Sequence, residues 1–232
     1  MHIYAIGDLH LSGEPASKPM EVFGEHWRNH KEKVAANWQN TVTAQDTVIV
    51  CGDISWAMTL EEAAQDLDWL AQLPGRKLLL RGNHDYWWNT AAKMQRFFDE
   101  HGLYSLEILH NNCLHYNDIS LCGTRGWFYE LDNQGTHNEK MLAREVGRLE
   151  ISLKMAGESC EKICFLHYPP LYQGYECPEI LRLLQRYGVK ECYFGHLHGA
   201  AQKRALEGRH YNTEFHLVAA DYLDFTPVKI CD

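Results

Sequence analysis

The chain has 232 residues, 45% of them hydrophobic and 23% charged, ordinary proportions for a globular protein and compatible with one domain over 1–232. A net charge of -9, with no lysine or arginine cluster longer than two residues, argues against a surface that grips nucleic acid. No run approaches the ~18 apolar residues of a membrane span, and the N-terminus has no signal-peptide pattern, so a cytoplasmic protein without membrane contact is expected.

Residues 2–6 read as the first strand, which ends in Gly7-Asp8-Leu9-His10. Residues two apart on an extended segment point the same way, so Asp8 and His10 can reach one metal. The segment Leu11 to His26, with Gly13, Pro15, Pro19 and Gly24, is structureless, and at that length is either a binding loop or a surface crossover. From Trp27 to Val42 a helix is expected, with Trp27, Val34, Trp38 and Val42 on one face. The strand 47–51 ends in Gly52-Asp53. Gly52 lets the backbone turn, and the two oxygens of Asp53 suit it to bridging two cations; a plain turn aspartate is the alternative.

Thr59 with Glu62 has the capping-box pattern and opens a helix that stops at Pro74-Gly75. The strand 77–80 leads to Gly82-Asn83-His84-Asp85, the most specific block in the chain. Asn83 offers a neutral oxygen, His84 a proton, and Asp85 a carboxylate to hold the His84 ring. Between 104 and 122, short strands about Asn111-Asn112 and Asn117-Asp118 suggest antiparallel hairpins. Thr136 with Glu139 repeats the capping signal ahead of Met141, Leu142, Val146, Leu149 and Leu153.

The strand 162–166 ends at His167, before the stiff Pro169-Pro170. The strand 191–194 ends at Gly195-His196-Leu197-His198, whose two imidazoles again point to one side. Residues 201–218 read as a strand pair around Glu207-Gly208-Arg209. Short, mostly apolar strands are those covered on both faces, and the mixture of βαβ units with meanders indicates an α/β protein with more than one sheet. Of eight cysteines, Cys51, Cys122, Cys164 and Cys192 lie in apolar runs and no C-x-x-C pair occurs. Buried thiols are expected rather than disulfides or a cysteine-rich zinc site.

Singly, most of these blocks have plain structural readings; together they supply the oxygen and nitrogen donors that two neighbouring metals require. The ordered series Asp-x-His, Gly-Asp, Gly-Asn-His-Asp, His and Gly-His-x-His, over residues 8 to 198, resembles the calcineurin-like metallophosphoesterase family. That resemblance implies an α/β fold of two mixed β-sheets packed as a sandwich flanked by α-helices. It implies that Asp8, His10, Asp53 and His198 bind one metal and Asp53, Asn83, His167 and His196 the other, with His84 catalytic and Asp85 orienting it. The cofactors would be two divalent or mixed-valence ions drawn from manganese, iron, zinc, cobalt or nickel.

Such a centre keeps a formal charge of about +1, attracts a small phosphorylated substrate despite the acidic chain, and cleaves a phosphomonoester or phosphodiester through hydroxide held between the metals. Arg81 and Arg125 are candidate phosphate contacts, with Trp127 completing a specificity loop beside Arg125; each arginine could equally be an ordinary ion-pair partner. Trp56, Tyr86, Trp87, Trp88, Phe128 and Tyr129 surround the site either as stacking surfaces or as packed wedges. Two other functions stay open: a metal-dependent nuclease, and a non-catalytic scaffold of the same fold, which would have no need of His84.

Overall fold

Short runs such as Ile3-Tyr4-Ala5-Ile6 and Thr47-Val48-Ile49-Val50 carry apolar side chains toward both faces of a sheet, and both faces are covered. The computed structural model describes residues 1–127, 136–158 and 160–231. In chain order the strands are β1 (Ile3–Ile6), β2 (Thr47–Val50), β3 (Arg76–Leu79), β4 (Leu106–Ile108), β5 (Cys113–Tyr116), β6 (Ile119–Thr124) and β7 (Glu161–Leu166). A small hairpin, β8 (Leu171–Tyr172) with β9 (Tyr175–Glu176), precedes β10 (Glu191–Phe194), β11 (Gly208–His210), β12 (Thr213–Leu217) and β13 (Val228–Cys231). The helices are α1 (His30–Thr41), α2 (Ala64–Gln72), α3 (Ala91–Glu100), α4 (Thr136–Met155) and α5 (Pro178–Arg186).

The strands form two mixed sheets. The first has the order β13-β1-β2-β3-β4, parallel except for β13. The second has the order β11-β12-β10-β7-β6-β5, with a parallel centre and an antiparallel strand at each edge. Side chains sort by the two-residue period of a strand. Ile3, Ala5 and Ile49 meet Leu121, Ile163, Phe165 and Tyr193 in a core between the sheets. Tyr4, Ile6, Val48 and Val50 face outward onto α1, α2 and α3, where Trp38, Leu67 and Phe98 are buried. Cys164, Leu166, Cys192 and Phe194 pack on the opposite side against α4 and α5, through Leu149, Leu153, Ile180 and Leu184. The result is the expected sandwich of two mixed sheets between helices.

Several expectations are corrected in detail. The helix expected from Trp27 begins at His30, and Trp27 sits in a 3-10 turn before it, although Trp27, Val34, Trp38 and Val42 do share one buried face. The Thr59–Glu62 box closes, with Thr59 Oγ1 accepting from Glu62 N at 3.2 Å, but regular helix starts only at Ala64. Residues 104–122 do not form consecutive hairpins. β4 completes the first sheet beside β3 and β5 starts the second, so Asn111-Asn112 is a crossing between sheets, and only Asn117-Asp118 turns a hairpin. The strand pair in 201–218 turns at Tyr211-Asn212, both with positive φ, rather than at 207–209, because residues 199–204 are 3-10 helix. Leu11 to His26 is not wholly irregular: it holds the 3-10 turns Met20–Phe23 and Glu25–Trp27. The Thr136 side chain lies outside the described residues. None of the eight cysteines forms a disulfide, and the four placed in apolar runs are buried. Among the described residues, no helix is long and apolar enough to cross a membrane.

Candidate metal centre

Parallel strands send their C-terminal ends to one edge, which is why polar residues far apart in sequence meet there. Asp8, Asp53 and Asn83 follow β1, β2 and β3; His167, His196 and His198 follow β7 and β10. A parallel bridge between Gly7 and Ala219 joins the rims of the two sheets. Gly52 turns the chain at φ +86°, a conformation that suits glycine. At Gly82 the constraint is space, since a Cβ there would overlap Asp53 N and Oδ1.

Two groups of donors result. Ligand atoms of Asp8, His10, Asp53 and His198 all lie within 4.8 Å of one another, as do those of Asp53, His167 and His196. Asn83 joins the second group, with its Oδ1 at 2.7 Å from His167 Nε2 and 2.9 Å from His196 Nδ1. Asp53 belongs to both: its Oδ1 accepts from His84 N at 2.8 Å, while its Oδ2 lies 3.9 Å from His10 Nε2 and 3.6 Å from His167 Nε2. His10 Nε2 and His198 Nε2 face each other at 3.1 Å.

The local backbone differs from the extended segments expected. Asp8, His10, Asp53 and His196 all have positive φ, from 48° to 73°, a region that non-glycine residues enter rarely and that Asn, Asp and His enter most readily. Asp8 and His10 therefore converge through a left-handed turn. His196 and His198 do not point to one side, because the turn at His196 sends its ring to Asn83 while His198 goes to Asp8 and His10.

Buried acids and bases crowd the centre. Asp8, Asp53 and Asp85 are at most 1% exposed, and among the described residues no lysine or arginine pairs with any of them. Burial first, then the charges of Asp85 and Asp8, push the Asp53 carboxyl well above its ordinary pKa. Asp53 Oδ2 is buried without a hydrogen-bond partner. Burial also lowers His10 and His196 well below the usual imidazole value and takes His167 to about 3, which favours the neutral, ligating form. His167 Nδ1 lies 3.0 Å from the Cys51 carbonyl, which receives its N–H and leaves Nε2 as the donor atom. Burial lowers His198 too, but the Asp8 charge and a hydrogen bond to Asp221 prevail and raise it to about 10. A cluster in which burial keeps the Asp53 carboxyl from ionising, with an orphaned oxygen and inward-facing imidazoles, fits two divalent cations, which would supply the positive charge that lets that carboxyl ionise.

His84 is half-buried, with its ring 4.3 Å from that of Trp56 and its Nδ1 without a hydrogen-bond partner. Burial, followed by the charge of Lys18, lowers its pKa. The expectation that Asp85 orients this ring is corrected. Asp85 Oδ2 accepts from Asp53 N at 2.9 Å and Gly82 N at 2.7 Å, and Oδ1 from Ile54 N at 2.8 Å, Ser55 N at 3.2 Å and Trp87 Nε1 at 3.0 Å. A buried carboxylate surrounded by backbone N–H groups has no geometry left for the neighbouring ring; it holds the Asp53 and Gly82 loops together.

Arg125 is buried with Nη2 at 3.7 Å from Glu145 Oε1, a carboxylate it shares with Arg148, and its guanidinium lies 4.8 Å from the Trp127 ring. That is the ion-pair alternative of the sequence reading. Arg81 is half-buried with Nε unpartnered. Trp87 is a buried wedge and Tyr86 is exposed; Phe128 and Tyr129 lie outside the described residues. The sequence reading missed Asp221, which lies 3.3 Å from His198 Nδ1 and accepts from Gly199 N at 3.0 Å. Its signal was available: Asp221 follows the apolar run Leu217-Val218-Ala219-Ala220, just as the other site residues follow theirs.

The family model for calcineurin-like phosphoesterases matches residues 1–200. The gene 66 proteins of Mycobacterium phages L5 and D29 are 35% and 32% identical over 78 and 84 residues, which is 34% and 36% of this chain. The chain spans only 37% and 40% of the length of those relatives. Among solved structures, a protein of unknown function from Aquifex aeolicus has a TM-score of 0.52 at 16% identity, covering 98% of this chain and 95% of its own. The phosphopantetheinyl hydrolase of Mycobacterium tuberculosis has a TM-score of 0.59 at 13% identity, with 99% and 95% covered. At such identities the structures share the fold.

Proposed function

The chain belongs to the calcineurin-like phosphoesterase family, and from that premise we propose that it is a metal-dependent hydrolase of phosphoester bonds in a small substrate, working with two divalent ions. Asp8, His10, Asp53 and His198 would hold one ion, and Asp53, Asn83, His167 and His196 the other. The observation that carries this reading is Asp53 Oδ2, a buried carboxylate oxygen with no partner, set between the two donor groups. When bound, the ions supply charge neutralisation for the phosphoryl oxygens and acidify water. Asp53 draws the two donor groups onto shared ground, and Asp85 fixes the peptide that carries it. Asp221 keeps the His198 ring turned with Nε2 inward. His84 would be the group that holds or gives a proton at the departing oxygen; its ring lies beside His10 and Trp56 at the cleft.

The test uses the purified full chain supplied in turn with manganese, iron, zinc, cobalt and nickel. Metal content is measured beside turnover of a mono-aryl phosphate, a bis-aryl phosphodiester, cyclic nucleotides and single-stranded DNA. Two ions per chain and hydrolysis of an aryl ester are expected. Activity that survives the double change Asp53→Ala and His84→Ala would refute the assignment, and preference for DNA over every small ester would move it to a nuclease.

A further inference from the structure

Beside the metal residues opens a cleft of about 220 Å³, roomy for a single ring, since about 150 Å³ is enough to hold benzene. Its floor is His10, His84 and His198; its walls are Met20, Phe23, Trp27 and Trp56. Met20 and Phe23 come from the segment Leu11 to His26, and Trp27 directly follows it. Trp56 is braced from within, stacked on His10 at 4.9 Å and donating Nε1 to Met20 Sδ at 3.3 Å. Phe23, on the lip, is 58% exposed.

A cation lies against one of those walls. Lys18 Nζ lies 3.1 Å from the centre of the Trp56 ring and 5.6 Å from that of Phe23. Among the described residues no carboxylate pairs with it. The same Trp56 ring lies 4.3 Å from His84, so the ammonium rests on the aromatic wall next to the histidine proposed to serve the departing oxygen. A cation parked on a ring is readily drawn off by an anion, because an exposed cation–π contact is worth only about 0.5–1 kcal/mol.

We propose that this cleft is the leaving-group subsite, that the ester it accepts is one of an aromatic or similarly apolar, ring-sized alcohol, and that Lys18, drawn off the Trp56 ring beside His84, meets the phosphoryl oxygens. The assignment rests on the phosphoesterase reading above. Because His84 forms part of the floor, the alcohol that it serves must lie between the metal centre and the walls. Polar polyols would bury hydroxyls against Met20, Phe23 and the two tryptophans without partners, which disfavours them.

Two phosphonates that cannot be hydrolysed test this on the manganese-loaded full chain. Binding of phenylphosphonate and methylphosphonate is measured by calorimetry, alongside turnover of an aryl phosphate. Phenylphosphonate is expected to bind about tenfold more tightly, the return on burying one ring. Phe23→Ala should narrow that gap about threefold, acting on the phenyl compound alone, and Lys18→Met should weaken both compounds alike, by roughly fivefold. Equal binding of the two phosphonates by an enzyme that turns over the aryl phosphate would overturn the cleft's role and leave the hydrolase standing. Unchanged affinities in Lys18→Met would remove Lys18 from the site. Absence of both turnover and binding would overturn the hydrolase and the cleft together.

Discussion

Replacing Asp85 by asparagine exchanges one carboxylate oxygen for an amide group in a site built from donors. The carboxylate accepts five hydrogen bonds, two at Oδ2 and three at Oδ1. An asparagine can turn its oxygen to one set only; toward the smaller set it then presents N–H against N–H. Two charge-assisted bonds are lost outright, and at about 1.5–3 kcal/mol for each hydrogen bond to a charged group the expected cost is about 3–6 kcal/mol. That is a large part of a typical stability of about 5–15 kcal/mol. Urea unfolding of the metal-free protein should show a midpoint lower by about 1–2 M, taking a slope near the upper end of about 1–3 kcal/mol per molar. Since Asp85 pins the peptide of Asp53, bound metal per chain should fall in parallel. An Asp85→Asn protein with unchanged midpoint and unchanged metal content, but a lowered kcat, would refute this argument and restore Asp85 as the group that orients His84.

Other changes separate chemistry from construction. His84→Gln should lower kcat by about 10²–10⁴, with KM and metal content retained; loss of metal instead would make His84 a ligand. Gly82→Ala forces a methyl group onto Asp53, and metal affinity should fall at least tenfold, on the order of what altered support of a ligand costs; an equal affinity would show that the loop yields. His110, half-buried near Glu145, Arg148, Arg81 and Arg125, is held at about 4 by burial, with the Glu145 charge opposing that shift and the three arginines adding to it, against 6.5 when free. Its unfolded form takes a proton first, so stability is full above 6.5 and declines as pH falls toward 4, by at most about 3 kcal/mol. In the metal-free protein His110→Asn should flatten that decline between pH 6.5 and 4 as read by urea midpoints, and an identical slope in both proteins would exclude His110 as its source.

What could be read from the chain was what depends on local pattern. Ile3 to Ile6 and Ile163 to Leu166 announce strands because both faces need apolar side chains, and a polar residue straight after such a run must sit at a sheet's rim. That logic locates Asp8, Asp53, Asn83, His167, His196 and His198, and applied to Val218–Ala220 it reaches Asp221 as well. It does not reach Asp85, whose partners are backbone N–H groups of Asp53, Ile54 and Ser55, brought near by the pairing of β2 with β3. Nor does it reveal that β4 and β5 part into different sheets, since Asn111-Asn112 looks the same in a hairpin and in a crossing. The direction of a side chain was inferred from strand geometry where the backbone is left-handed, and that is why His196 and His198 were paired. Lys18 gave no signal at all: its setting over Trp56 depends on the course of a loop without periodicity.

The parallel bridge between Gly7 and Ala219 has a bearing on when the protein becomes functional. His10 and His198 are 188 residues apart, and the brace on His198 comes later still, at Asp221. A nascent chain that has emerged through Asp85 thus carries four of the seven proposed ligands and lacks His167, His196 and His198. At roughly 5–20 residues per second, synthesis needs on the order of ten seconds more before the last brace emerges. On the proposed reading, both ions would be held only after the chain has been made through Asp221. If the centre takes metal as proposed, the pool met after that point decides which ions it holds, and two preparations of one sequence would then differ in activity through the history of that encounter alone.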